Sequence, residues 1–77
     1  MLMIVPLNSM RPGEKGVVVN ILGGHNARGK LVSMGLTPGA TVQVLESHSL
    51  GPIIISVGGV RFAIGRGMAG RVMVRKL

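Results

Sequence analysis

The sequence predicts an all-β domain, a small closed barrel of five or six short strands with one short helix. Three observations carry this: apolar residues alternate with period two in several segments, Gly58-Gly59 separates two of them, and two Pro-Gly turns each precede a strand. Alternation in β-branched residues marks half-buried strands, because successive side chains point to opposite faces. Closure suits so apolar a chain, since 47% of its residues are hydrophobic and a closed sheet exposes no edge.

The elements follow in order. A short strand is expected around Leu2 to Val5. Arg11-Pro12-Gly13 then turns into a strand in which Val17, Val19 and Ile21 alternate with Val18, Asn20 and Leu22. Proline presets the first dihedral of such a turn and glycine takes the left-handed position after it. The helix is expected from Ala27 to Met34, with Asn26 capping a free backbone N–H at its start. Ala27, Leu31 and Met34 share one face at helical spacing, and Gly35 sits where a helix-ending left-handed residue belongs. Thr37-Pro38-Gly39 repeats the turn ahead of Val42 and Val44. Ile53, Ile55 and Val57 lead to Gly58-Gly59, and Val60, Phe62 and Ile64 follow, so 52–57 and 60–65 form a hairpin. Gly65-Arg66-Gly67-Met68 reads as a glycine-rich loop. In the last strand Val72 and Val74 point inward, and Arg71, Met73 and Arg75 outward. No linker or shift in composition divides residues 1–77, so a single domain is expected.

Composition excludes several classes. With no cysteine, a disulfide-stapled fold is ruled out. Only 14% of residues are charged, which does not fit a charge-rich disordered chain. The apolar runs Met1 to Leu7, broken by Pro6, and Ile53 to Ile55 fall far short of the roughly 20 residues that span a bilayer. No targeting segment is read at the amino terminus, and a cytoplasmic location is expected.

The charge balance is one-sided: nine Lys and Arg against Glu14 and Glu46 give a net +7. That favours anionic partners. Arg61, Arg71 and Arg75 fall at outward positions of two late strands with Arg66 between them, so adjacent strands would gather them on one positive face. Arg11, Lys15, Arg28 and Lys30 offer a second. Solvated surface charge, docking to an acidic protein or anionic lipid, and nucleic-acid binding all fit this pattern.

Catalytic groups are scarce. Glu46 and His48, two apart in an extended segment, share a face and are the one pair that could touch a divalent metal ion; no third ligand is brought to them by sequence. Gly23-Gly24-His25-Asn26 offers free N–H groups at a helix start, but lacks the lysine and Ser/Thr of a phosphate loop. No cofactor is implied. Val18, Leu22, Ile54 and Met73 lie opposite the expected core stripe, and Leu36 and Leu50 lie in turns. A contiguous patch of such residues would mark an oligomer or partner surface, with Leu36 the first candidate.

Gly35-Leu36-Thr37-Pro38-Gly39, preceded by Leu31 and Met34 and followed by Val42 and Val44, resembles the signature of the ferrous iron transport protein A (FeoA) family. Leu7, Pro12-Gly13, Gly16, Val19 and Ile21 are similar to its opening strand. Gly23-Gly24 with Arg28 and Leu31 resembles its helix entry, and Gly51-Pro52, Ile55, Val57, Gly59, Ala63, Ala69, Val72 and Val74 its closing strands. The resemblance implies an SH3-like barrel and a non-enzymatic, cytoplasmic accessory role in ferrous iron uptake. The implied partner is the membrane permease with its cytoplasmic GTP-binding domain. The positions of Leu36 in its turn and of Arg61, Arg66, Arg71 and Arg75 on or between late strands, rather than the resemblance, make these the expected docking residues. The rival reading is a small nucleic-acid-binding barrel, suggested by the run from Pro12 to Ile21. It lacks the exposed aromatics on which bases stack, since the sole aromatic, Phe62, is expected in the core.

Overall fold

The computed structural model describes residues 3–77. Its six strands are β1 (Ile4–Pro6), β2 (Lys15–Ile21), β3 (Thr41–Ser47), β4 (Ile53–Val57), β5 (Val60–Ile64) and β6 (Val72–Lys76). They form one antiparallel sheet in the order β1-β6-β2-β3-β4-β5. Helix α1 (His25–Ser33) joins β2 to β3, and a four-residue helix, α2 (Arg66–Ala69), joins β5 to β6. The all-β class is the one the alternation predicts, but the sheet does not close as expected: among the described residues β1 and β5 end it without pairing to each other. The strand expected near Leu2 to Val5 is β1; Leu2 lies outside the described residues.

The hairpin forms as expected, with Val57 paired to Val60 across Gly58 and Gly59. Both glycines have positive φ, 59° and 80°, which a primed two-residue turn requires. The core gathers Val42 and Val44 from β3, Ile53, Ile55 and Val57 from β4, and Val72 and Val74 from β6, with Leu7, Leu31, Leu36 and Ala69 from the connections.

β2 departs from the expected phase. Val18 is 1% exposed, Val17 is half-buried and Val19 faces solvent. The ladder with β6 shifts between Val18 and Asn20, so Val19 forms a bulge. Such an extra residue reverses the inside–outside alternation, and this is why Val18 and Ile21 both point inward. Gly16 opens the same inward row: a Cβ there would meet the Arg75 carbonyl oxygen at 3.1 Å and Val74 Cβ at 3.2 Å. β5 departs as well. Val60 is 53% exposed and Phe62 only half-buried, leaving Ile64 as its one fully buried side chain. As the last strand of the sheet, β5 has a neighbour on one side alone.

Helix α1 begins earlier than expected. Gly24, in extended conformation, is its N-cap and no side chain caps it, so Asn26 lies within the first turn rather than before it. Its end is the decisive correction. Gly35 adopts φ +89°, its N–H donates to the Val32 carbonyl at 2.9 Å, and the Leu36 N–H donates to the Leu31 carbonyl at 3.0 Å. These two bonds define a Schellman ending, in which the residue after the glycine packs back on the helix. Leu36 is accordingly 0% exposed, within the same core cluster as Leu31. It is a core residue and offers no docking surface. The segment expected as a loop around Arg66 is helix α2, whose last residue, Ala69, is buried in the core.

The carboxy-terminal strand is tied down by charge. Lys76 Nζ lies 2.6 Å from Glu14 Oε2, and the Arg11 N–H donates to Glu14 Oε1 at 2.6 Å. The bond from Lys76, and then that from Arg11, hold the Glu14 carboxyl below the usual glutamate range. A folded-state pKa below the unfolded one stabilises at pH above the unfolded value and is lost as pH falls through the folded value. Thermal midpoints of wild type and Glu14→Gln should therefore differ by a constant above about pH 5.3, one unit over the free glutamate value. They should converge as the pH falls below about 4.3. Parallel curves down to pH 2 would remove this pair from the acid response.

Candidate functional site

Among the described residues the most exposed large apolar side chain is Leu50, at 99%. It stands at the tip of the turn between β3 and β4, where Ser49, Leu50, Gly51 and Pro52 form one wall of a shallow groove and Gly65 and Arg66 the other. The turn is held from two directions. The Gly51 N–H approaches the His48 carbonyl at 3.4 Å. The same carbonyl accepts from Arg66 Nε at 2.7 Å and also from Arg66 Nη2, which in addition reaches Ser47 Oγ at 2.9 Å. Arg66 is itself anchored, because its carbonyl accepts from Asn8 Nδ2 at 3.1 Å and from the Gly70 N–H at 3.0 Å. A chain of bonds thus runs from the turn after β1, through α2, to the loop that carries Leu50. A guanidinium suits this position, since its planar fork places several donors at once.

The remaining expected site residues are dispersed. The single positive face required β5 and β6 to be adjacent, whereas β2, β3 and β4 lie between them in the sheet. Arg61, on β5, leans toward Glu46 at 3.7 Å. Arg71, ahead of β6, lies against Gly23, where a Cβ would strike its guanidinium. Arg75 is half-buried on β6 opposite Ile4 and Val17. In the second basic group, Arg28 is spent on the Ile21 carbonyl at 3.0 Å. Glu46 and His48 do meet as their spacing predicts, at 3.6 Å, with both side chains exposed. Arg61 occupies the other Glu46 oxygen, which opposes a cation there. Among the described residues no three His, Cys, Asp or Glu side chains gather.

Sequence reasoning named Leu50 but ranked it behind Leu36, and it read Arg66 as one free cation among several. The Leu36 signal was present: an apolar residue directly after a helix-ending glycine is the one that packs back. The Arg66 contact had no local signal, since it joins residues 18 apart in sequence.

A curled antiparallel sheet with its helix after the first long strand defines a small SH3-like domain. Its likeness to a solved Stenotrophomonas maltophilia FeoA in complex with zinc, described as a prokaryotic SH3 domain protein, bears on the fold: TM-score 0.79 at 24% identity, over 96% of this chain and 88% of that one. The chain belongs to the FeoA domain family, whose model matches residues 5–76, and is thereby a ferrous iron transport-associated protein. It is 42% identical over 69 residues to a Methanocaldococcus jannaschii protein named Fe(2+) transport protein A, covering 90% of this chain and 83% of that one. It is 84% identical to an iron uptake regulatory protein (FeoA) of known crystal structure, with TM-score 0.95 over 97% of this chain and all of the other.

Proposed function

We propose that this chain is a non-enzymatic, cytoplasmic adaptor of ferrous iron uptake. It docks on the cytoplasmic GTP-binding domain of the ferrous iron permease, at the inner face of the membrane, and modulates the permease's assembly or activity. The observation that carries the docking surface is Leu50: a fully exposed leucine on a turn fixed by Arg66. Exposed apolar groups held in place are what a partner can bury without a large ordering cost, and burying one leucine side chain is worth about 1.5–3 kcal/mol. The net charge of +7 steers the domain toward an acidic surface.

Capture of the permease's GTP-binding domain by immobilised wild type and Leu50→Asp tests this. The variant is expected to weaken capture about tenfold or more, the loss of roughly 1.4 kcal/mol or more, with an unchanged thermal midpoint. Equal capture by both rejects the surface. Titration with labelled RNA and DNA supplies the other arm: micromolar binding that survives physiological salt would replace the adaptor reading with a nucleic-acid one, because purely electrostatic affinity falls steeply with salt.

A further inference from the structure

One edge of the sheet carries little of the protection such edges usually have. Natural edge strands are blunted by proline, bulges, short length, charged side chains or a covering element, and on the strand in question the one such device is the charge of Arg61. β1, at one end of the sheet, has three residues and ends in Pro6. β5, at the other end, has five residues and no proline, and pairs with β4 from Val57↔Val60 to Ile53↔Ile64 without a register shift. In an antiparallel ladder the hydrogen-bonded pairs alternate with non-bonded ones. The two-residue turn makes Val57 and Val60 a bonded pair. Val60, Phe62 and Ile64 therefore turn their backbone groups toward β4, and Arg61 and Ala63 turn theirs away from the sheet. Among the described residues, the backbone of neither Arg61 nor Ala63 bonds to any element outside the strand ladder. Both residues are exposed.

We propose that the free edge of β5 accepts an extended acidic strand from the docking partner, bonded to the outward N–H and C=O groups of Arg61 and Ala63. This is strand addition, in which the backbone supplies affinity and alternate side chains supply selectivity. The side chains identify the strand. On one face Arg61 offers a guanidinium that is two-thirds exposed and held only loosely to Glu46. On the other, Phe62 is half-buried and Val60 more exposed still. A strand alternating acidic and apolar residues satisfies both faces. A second copy of this chain would bring +7 against +7, so charge selects an acidic partner over self-pairing. β5 also runs directly into Gly65 and Arg66 of the Leu50 groove, so the added strand would lie beside the proposed docking surface. The inference rests on the adaptor reading and specifies the form of its partner.

The test uses the full chain and a blocked octapeptide alternating Glu and Val, with a Lys/Val octapeptide as comparator. With the acidic peptide at about 1 mM, amide hydrogen exchange at Arg61 and Ala63 should slow about tenfold or more, and with the basic one less than about twofold. Ala63→Pro removes an outward donor while sparing the β4 ladder, as proline at a sheet edge does; it should abolish the protection while exchange at Phe62 and Ile64 stays as in wild type. Should that variant not fold, Arg61→Glu serves, and it should reverse the preference between the two peptides. No slowing at the two amides, or equal slowing by both peptides, overturns the proposal. So does protection that grows with protein concentration alone, which would make a second copy the occupant. Capture of the GTP-binding domain by Ala63→Pro at wild-type strength rejects the edge while leaving the adaptor reading intact.

Discussion

Leu36→Ala is expected to destabilise the domain by about 3 kcal/mol, within the range for a buried leucine cut to alanine. A chain of 77 residues has a total stability of about 4–12 kcal/mol, so this one side chain carries a large share. The cost has two sources. The side chain is fully buried in the core cluster, and neighbours relax only partly into the space it leaves. Its backbone position is also fixed by the bond from its own N–H to the Leu31 carbonyl, so the segment cannot slide inward to fill the cavity. Urea unfolding should show a midpoint lower by about 2 M with an unchanged slope. Leu36→Asp should not fold at all, since it buries a charge with no partner. The matching substitution Leu50→Ala should stay within about 0.5 kcal/mol of wild type, as surface changes do. A cost below that same margin for Leu36→Ala would return Leu36 to the surface and undo the helix-end argument.

The contrast between these leucines shows what the sequence carries. Both sit beside glycine in turns, and composition treats them alike. The difference lies in which backbone groups their neighbours satisfy, and that depends on the helix ending where it does. Strand identity, the hairpin and both Pro-Gly turns were legible because each is a local device with its own residue requirement. The phase of β2 was not, because the bulge at Val19 is a property of its pairing with β6, more than fifty residues away. The expected positive face failed for the same kind of reason. Outward alternation was read correctly for Arg61 and Arg75, but strand order decides who stands beside whom, and β6 returns to pair with β1 and β2 rather than with β5. Several cations have internal duties instead: Arg28 at the Ile21 carbonyl, Arg66 at His48 and Lys76 at Glu14. Net charge is additive along a chain and is read without error; its location is a consequence of the fold.

Arg66→Ala is expected to loosen the Leu50 turn while leaving the core intact. The side chain donates to the His48 carbonyl and Ser47 Oγ, and at a solvent-exposed site the loss should be worth about 1 kcal/mol of global stability. The local effect should be larger. Freed of the guanidinium, residues 48–51 retain only the long Gly51–His48 backbone bond and the exposed approach of His48 to Glu46, and their backbone order parameters should fall from the rigid value near 0.85 to below about 0.6. A partner would then have to restore part of the turn's order on binding, and a loss equal to fixing one backbone residue costs about 1–2 kcal/mol. Capture of the GTP-binding domain should weaken about tenfold, the equivalent of roughly 1.4 kcal/mol. Arg66→Lys separates geometry from charge. Lysine keeps the cation but cannot set two nitrogens on one carbonyl and a third contact on Ser47, so it should behave like alanine in both measurements. Full recovery by lysine would mean that Arg66 acts through charge alone, and unchanged order parameters in Arg66→Ala would remove it as the residue that positions Leu50.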